Sequence, residues 1–375
     1  MFLSLLLSAL CQVHPDSLPW RSFTDPVTER IGFKDASGKI RIPARFSAPN
    51  TGAVFRDVIA VAEPDSSSDD MRMYYLRKDG RIFGRDSVPI VEEFELPCQV
   101  EGRILFSDQG IRRPPTSDPP IRMGYFDSTG KVAVPARFVY ASSFHGGYAV
   151  AMEEGKRMCG DGKPWSKQAA CEHWYWSGEH VLVDREGRVV AKPLELEDLR
   201  YPDWLRAKAL DAKPDSNSIG IPLLDGRYLS IPDIKRDFLA WFSDALPGWK
   251  GSAISPDLFF PTVYAEHDGQ WSLGRGPNLP ETVWSGVESS RFLRANRAKF
   301  AGLLDTFRRH LSQLDFHAKE EPVFAEHAGL LGDCGRFDPV RFPAVRVCWD
   351  PRDGGPRREL LFVRTEKGYR IIEVR

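Results

Sequence analysis

Several features that would assign a chemistry are missing from this sequence. Its 51 lysines and arginines balance 52 aspartates and glutamates, leaving a formal charge of −1. The whole-molecule field that draws a protein to nucleic acid or to an anionic membrane is therefore lacking, and no nucleic-acid partner is expected. Beyond the first dozen residues no run is long and apolar enough for a membrane helix, so no integral membrane segment is expected in the mature chain. No phosphate loop, dinucleotide fingerprint, HExxH or GxSxG occurs. Cysteine is scarce, 6 in 375 residues, and follows no CxxC or Cys/His zinc spacing. Neither a metal nor a cofactor is expected. What remains is the make-up of an ordinary globular chain, 42% apolar and 27% charged, long enough for two or three domains or for a repeat array plus one domain.

Residues 1–13 read as a signal segment. Phe2 to Leu10 is an apolar run of signal-peptide length and too short to span a bilayer, and the small residues Ala9 and Cys11 precede a cut ahead of Gln12. No basic residue precedes the run, the first being Arg21. Read as a signal, the segment implies a periplasmic or secreted protein; read as a buried strand, it implies a cytoplasmic one. A lipidated Cys11 is the lesser reading, because Leu10 stands where a lipobox has a small residue. Four cysteines form locally spaced disulfide candidates, Cys159 with Cys171 and Cys334 with Cys348. Each would close a loop worth about 3 kcal/mol in the chain-entropy model. Cys98 is left over. The alternative is that all are reduced core thiols.

The informative feature is internal similarity. Arg30-Ile-Gly-Phe-Lys-Asp-Ala-Ser-Gly-Lys-Ile-Arg-Ile-Pro-Ala-Arg-Phe46 aligns without a gap on Arg122-Met-Gly-Tyr-Phe-Asp-Ser-Thr-Gly-Lys-Val-Ala-Val-Pro-Ala-Arg-Phe138. In each, a short strand meets an Asp-x-x-Gly turn. There the aspartate can bond its own backbone, and Gly38 or Gly130 can take the positive φ that closes a hairpin. The partner strand is expected to stop at Pro43 or Pro135, which have no N–H to donate, and Phe46 or Phe138 then enters the core. An alternating stretch, Val58 to Ala62 or Tyr148 to Met152, is expected to complete a three-stranded meander. Weaker copies place turns at Gly80 and Gly187, so the turn glycines are spaced by 42, 50 and 57. Asp225-Gly-Arg-Tyr228 is a fifth turn that belongs either to the array or to a linker.

The order Gly-aromatic, Asp, Gly-Lys, Pro, Phe resembles the WG-repeat family. The departure is the Trp of its name, replaced by Ile31 and Met123. The resemblance covers about half the chain. It implies a β-rich repeat array with binding roles and carries little about activity.

From about Ile231 the pattern changes. Asp233 is placed to cap a helix from Ile234 to Leu246. Ser290 to Leu314 reads as an amphipathic helix with Leu293, Phe300, Leu304, Phe307, Leu311 and Leu314 on one face. Strands follow at Ala344–Trp349, Glu359–Arg364 and Tyr369–Val374, the last two joined through Glu366-Lys-Gly368. The expected class is α+β: an N-terminal all-β array of antiparallel hairpin or meander repeats (20–200), a linker (201–231) and a compact α+β C-terminal domain (232–375). In its pattern of elements that domain is similar to NTF2-like domains.

The most unusual local composition is Cys171-Glu-His-Trp-Tyr-Trp176. On a loop, Glu172, His173, Trp174, Tyr175 and Trp176 would make a binding surface for a sugar or a peptide; in a strand, alternate members would turn into the core. Arg291, Arg294, Arg297 and Arg308 lie off the apolar face of the long helix, either facing an acidic partner or simply solvated. His310, His317 and His327 could meet a carboxylate such as Asp315 or Glu326 as a general acid/base pair, but nothing ties them together at metal or catalytic spacing. No catalytic residue is assigned. The function expected is that of a non-enzymatic binding or scaffolding protein of the bacterial cell envelope, its array facing another protein or a glycan. An immunity protein against an exported toxin is one form of it. The competing class is an enzyme with its site in the C-terminal domain's cavity.

Overall fold

The structure, a computed structural model, describes residues 18–47, 51–65, 71–85, 87–89, 96–108, 121–166, 171, 174–199, 201–266, 271, 284–318, 322, 330, 332, 337–351, 355 and 357–375. The chain divides into two compact units. One is built mainly from residues up to Ser143 together with Ala151–Ser177, the other from Phe144–Val150 and most of the chain after Gly178.

In the first unit, β1 (Trp20–Thr24), β2 (Ile31–Lys34), β3 (Ile40–Phe46) and β4 (Val54–Phe55) form an antiparallel sheet in the order β3-β2-β1-β4. A second sheet holds β5 (Val58–Pro64), β6 (Met71–Arg77) and β7 (Ile82–Phe83), and a third holds β8 (Arg103–Ser107), β9 (Met123–Asp127) and β10 (Val132–Phe138). β11 (Tyr140–Ala141) pairs with the end of β12 (Tyr148–Met152), and β13 (Lys156–Cys159) with β14 (Trp174–Ser177).

The two explicit repeats fold alike to the residue. Ile31 faces Phe46, Phe33 faces Ile42 and Lys34 faces Ile40; the same pairs recur 92 positions on, as Met123 with Phe138, Tyr125 with Val134 and Phe126 with Val132. Pro43 and Pro135 do not end the ladder as expected. Each sits where the register shifts, in a bulge that needs no N–H from it, and the strand continues to the phenylalanine. The repeat glycine has a specific cause there. A Cβ on Gly32 would lie 2.6 Å from the Ile42 carbonyl oxygen, and one on Gly124 would lie 2.5 Å from that of Val134.

The turns follow one geometry, a three-residue loop ending in a left-handed glycine. Asp35 N–H donates to Lys39 O at 3.0 Å and Gly38 N–H to Asp35 O at 2.9 Å, with φ +84° at Gly38. Asp35 Oδ1 accepts from the Ser37 and Lys39 amides. Asp127 repeats this with Thr129 and Lys131, and Asp184 with Glu186 and Arg188. The hydrogen bond from the Ser37 side chain, against the opposing effect of burial, brings Asp35 down to about pH 2, and Thr129 likewise holds Asp127 below the usual carboxylate range.

The stretch after each hairpin does not complete a meander with it. β5 pairs along its length with β6; β8, which follows the Gly80 turn, pairs with β9; and β12 pairs with β11 rather than with β9 or β10, so each such strand lies in the next sheet. The reason is two-sided burial. Ile59 and Val61 join a core with Trp20, Phe33, Phe46 and Phe55, while Val58 and Ala60 join another with Ile104, Phe106 and Phe126. A strand apolar on both faces belongs in a sheet covered on both sides.

The second unit begins with the hairpin of β15 (Val181–Asp184) and β16 (Val189–Ala191), followed by the sheet of β17 (Lys208–Leu210), β18 (Ser218–Pro222) and β19 (Tyr228–Pro232) in the order β17-β19-β18. The stretch 201–231, expected to link, is thus folded over much of its length. Gly226, at φ +89°, closes the same turn between Leu223 and Arg227, and Ile221, Leu229 and Ile231 are buried with Leu182 and Trp204. Asp233 caps α1 (Ile234–Ala245) as expected, accepting from Arg236 N–H at 2.9 Å. Next come β20 (Phe259–Glu266), β21 (Trp284–Glu288), α2 (Ser289–Arg309), β22 (Asp315–Ala318), β23 (Ala344–Trp349), β24 (Arg358–Thr365) and β25 (Gly368–Val374). These strands form one sheet in the order β21-β20-β25-β24-β23-β22, antiparallel except for β20 beside β25. Both its faces are covered. Phe259, Val263, Val347, Leu360 and Phe362 meet the helices' Phe238, Phe242, Phe292, Phe300 and Phe307, while Phe260, Leu361, Val363 and Ile372 pack on the other side.

Candidate functional site

The candidate site is the β13–β14 hairpin of the first unit. Its strands pair Arg157 with Trp176, Met158 with Tyr175 and Cys159 with Trp174, and the Cys159–Cys171 disulfide joins β13 to the residue three before β14. The expected cross-link is therefore present. Past Cys159 the chain makes the repeat turn once more. Cys159 N–H donates to Lys163 O at 2.8 Å, Gly162 N–H to Cys159 O at 2.9 Å with φ +80°, and Asp161 Oδ1 accepts from Lys163 N–H. This returns Trp165 alongside β13, where its N–H donates to Arg157 O at 2.9 Å.

Arg157 thus lies between a tryptophan on each side. Its guanidinium carbon is 4.7 Å from the Trp165 ring centroid, 5.6 Å from Trp176 and 5.7 Å from Trp174. Trp174 and Trp176 themselves meet edge to face at 5.5 Å. Since strand side chains alternate, these rings share the face of Arg157 and Tyr175 projects from the other, 51% exposed. Gly155 lets the strand approach, because a Cβ there would lie 2.5 Å from Met152 Sδ and 3.3 Å from the Trp176 ring. The cluster is a strand, so the loop reading of Trp174 to Trp176 gives way to the alternating one, with the two indoles half-buried against a cation. Glu172 and His173 lie outside the described residues, as do His327 and Glu326.

Sequence reasoning missed Arg157 and Trp165. The signal was Asp161-Gly-Lys-Pro164, the repeat's own turn. The array's outer surface also repeats: Ile40 is 52% exposed and Val132, its counterpart, 55%.

The cysteine assignment needs two corrections. Cys348 is a free, buried thiol, so it forms no bond to Cys334, and Cys98, expected to be unpaired, is disulfide-bonded. Strand register explains Cys348: opposite Glu359 on β24 and Asp315 on β22, it is fixed within the sheet, whatever the loop spacing allows. Burial pushes its thiol up, with Arg357 Nη2 donating to Sγ at 3.2 Å.

Elsewhere in the second unit, charged groups meet internal partners. Asp203 is paired with Arg206 and Arg364, which outweigh the opposing effect of burial and hold its carboxyl below the usual range. Glu359 and Glu373, both buried, accept from Arg346 at 3.2 and 3.4 Å. Of the helix arginines, Arg297 donates to Ile254 O at 2.8 Å and Arg308 to Trp249 O at 3.0 Å, so two of the four serve the fold. His317 is exposed on β22, and His310 stacks on Trp349 at 5.2 Å. Among the described residues, no group of three His, Cys, Asp or Glu gathers as metal ligands, and no helix is long and apolar enough to cross a membrane.

Residues 123–156 match the family model described as WG containing repeat, a span running from the start of β9 to the first residue of β13. The repeat type expected from the residues is therefore present in that part of the chain. No curated protein and no solved structure matches.

Proposed function

We propose that this is a non-enzymatic binding protein of the bacterial cell envelope, whose repeat unit presents the β13–β14 hairpin to another protein or to a glycan. The observation that carries the reading is Tyr175. It is half-exposed on a strand braced by a disulfide and by an Arg157–tryptophan stack, whereas the large rings Phe33, Tyr75 and Tyr125 of the same unit are fully buried. An aromatic ring held rigidly at a surface gives large contact area at little entropic cost. The envelope location is supported by cysteine pairing, which suits an oxidising compartment. The enzyme reading has less support. The buried carboxylates of the second unit are held by arginines, and its interior is filled by phenylalanine rings.

The test is affinity capture from envelope extracts and on immobilised envelope glycans, with full-length protein and with Tyr175→Ala. One stoichiometric partner or glycan class, retained by the parent and lost by the variant, is the expected result. Equal capture by both, or no capture together with turnover in a hydrolase screen, would sink the reading.

A further inference from the structure

The β13–β14 sheet has an open edge. On the far side of β13, Trp165 N–H donates to Arg157 O at 2.9 Å and Cys159 N–H to Lys163 O at 2.8 Å. Arg157 and Cys159 therefore point their backbone groups away from β14, and antiparallel alternation makes Met158 and Tyr175 the hydrogen-bonded pair between the strands. By the same alternation the N–H and C=O groups of Trp174 and Trp176 point away from β13. Among the described residues no strand lies beside them, since β14 pairs with β13 alone.

This edge is also unguarded. Exposed edges are commonly protected by charge, proline or a bulge. The edge strands β3 and β10 carry all three, with Arg41, Pro43 and Arg45 in one, Pro135 and Arg137 in the other, and a register shift in each. Trp174-Tyr175-Trp176 has neither charge nor proline, and its register with β13 runs without a shift. The outer face is apolar as well. Tyr175 lies beside Met158, which is bridged in turn to the exposed Pro164, so an apolar row crosses the hairpin and ends at the open edge.

The edge reads the same in both directions about Tyr175. We propose that β14 pairs antiparallel with β14 of a second copy of this chain, about a two-fold axis at Tyr175. Trp174 of each protomer then faces Trp176 of the partner subunit, and each such pair exchanges both N–H···O bonds because all its backbone groups point outward. Tyr175 meets Tyr175 of the partner subunit at the non-hydrogen-bonded position, where Cα atoms approach to about 4.5 Å and paired aromatic rings add to the contact. A one-residue slip would oppose outward-pointing groups to inward-pointing ones, so the register is determined. The pairing is isologous and uses up the open edge in both copies, which closes the assembly at a dimer. The inference rests on the hairpin's being a recognition surface, as proposed above, and names its partner.

The experiment is sedimentation velocity on the full-length protein over a micromolar concentration series, with Tyr175→Lys, Tyr175→Glu and an equal mixture of the two. The parent is expected to dimerise as concentration rises. Each charged variant sets like charges together at the axis and should dimerise about tenfold more weakly or worse; the mixture sets opposite charges there and should recover much of the loss. Amide exchange gives a second reading that needs no variant. The N–H groups of Trp174 and Trp176 should exchange more slowly as concentration rises, while that of Tyr175, already bonded to β13, keeps its rate. A parent that stays monomeric, variants that dimerise as the parent does, a mixture of folded variants no better than either alone, or unslowed exchange at Trp174 and Trp176 overturns the proposal. A monomeric parent that still captures an envelope partner through Tyr175 overturns this inference and leaves the binding reading standing.

Discussion

In the repeat hairpins, the groups that fix the backbone lie within five consecutive residues. Asp35 to Lys39 makes the backbone hydrogen bonds of its turn internally, and the turn at Asp127 reproduces them. In the α+β unit the fixing groups come from far apart. Phe238 on α1 packs against Phe242, Phe316, Phe362 and Tyr369 at ring-centroid distances of 4.9 to 6.1 Å, which gathers α1, β22, β24 and β25. The difference is one of range. Backbone geometry in the first region is set locally and burial completes it, whereas in the second burial selects the geometry.

That contrast can be broken at three points. The largest effect is expected from Phe238→Ala, since truncating a fully buried phenylalanine costs about 3–5 kcal/mol. Limited proteolysis with thermal denaturation should show the second unit opening while the hairpins of the first stay protected; loss of protection in both would make the core common rather than separate. Next comes a pair of glycines. Gly124→Ala sets a Cβ against the Val134 carbonyl and should cost about 1–3 kcal/mol by overpacking. Gly38→Ala, with open space but φ +84°, should cost about 1 kcal/mol. Denaturant midpoints compare them, and the reverse order would move the constraint from the bulge to the turn.

The smallest effect is acid dependence. Asp35 is held at about 2 in the fold against an ordinary 3.8, so its ionised form contributes stability that is fully present above 3.8 and is lost as pH falls toward 2. Asp35→Asn should flatten the stability-against-pH curve of the first unit across that window, read by circular dichroism at a series of pH values. An unchanged slope would mean that the turn does not depend on the carboxylate.

Legibility followed the same division. The two turns, the Asp233 cap and α2's apolar face were readable because each is written in a few neighbouring residues. Leu311 fell outside the buried face because α2 ends at Arg309 and a 3-10 turn follows. The candidate site was half legible. Trp174, Tyr175, Trp176 and the Cys159–Cys171 pair were singled out, but Arg157 and Trp165 become neighbours only once the Gly162 turn folds back.

What the sequence determined by itself is the hairpin turn, because one aspartate and one glycine specify it without distant help. Only the tertiary structure decided that β5 and β8 belong to the next sheet, that Cys348 stays a thiol and that four separated residues form one aromatic–cation stack. Those outcomes rest on which surfaces gain most by being buried together, a sum over residues far apart in the chain that no short stretch encodes.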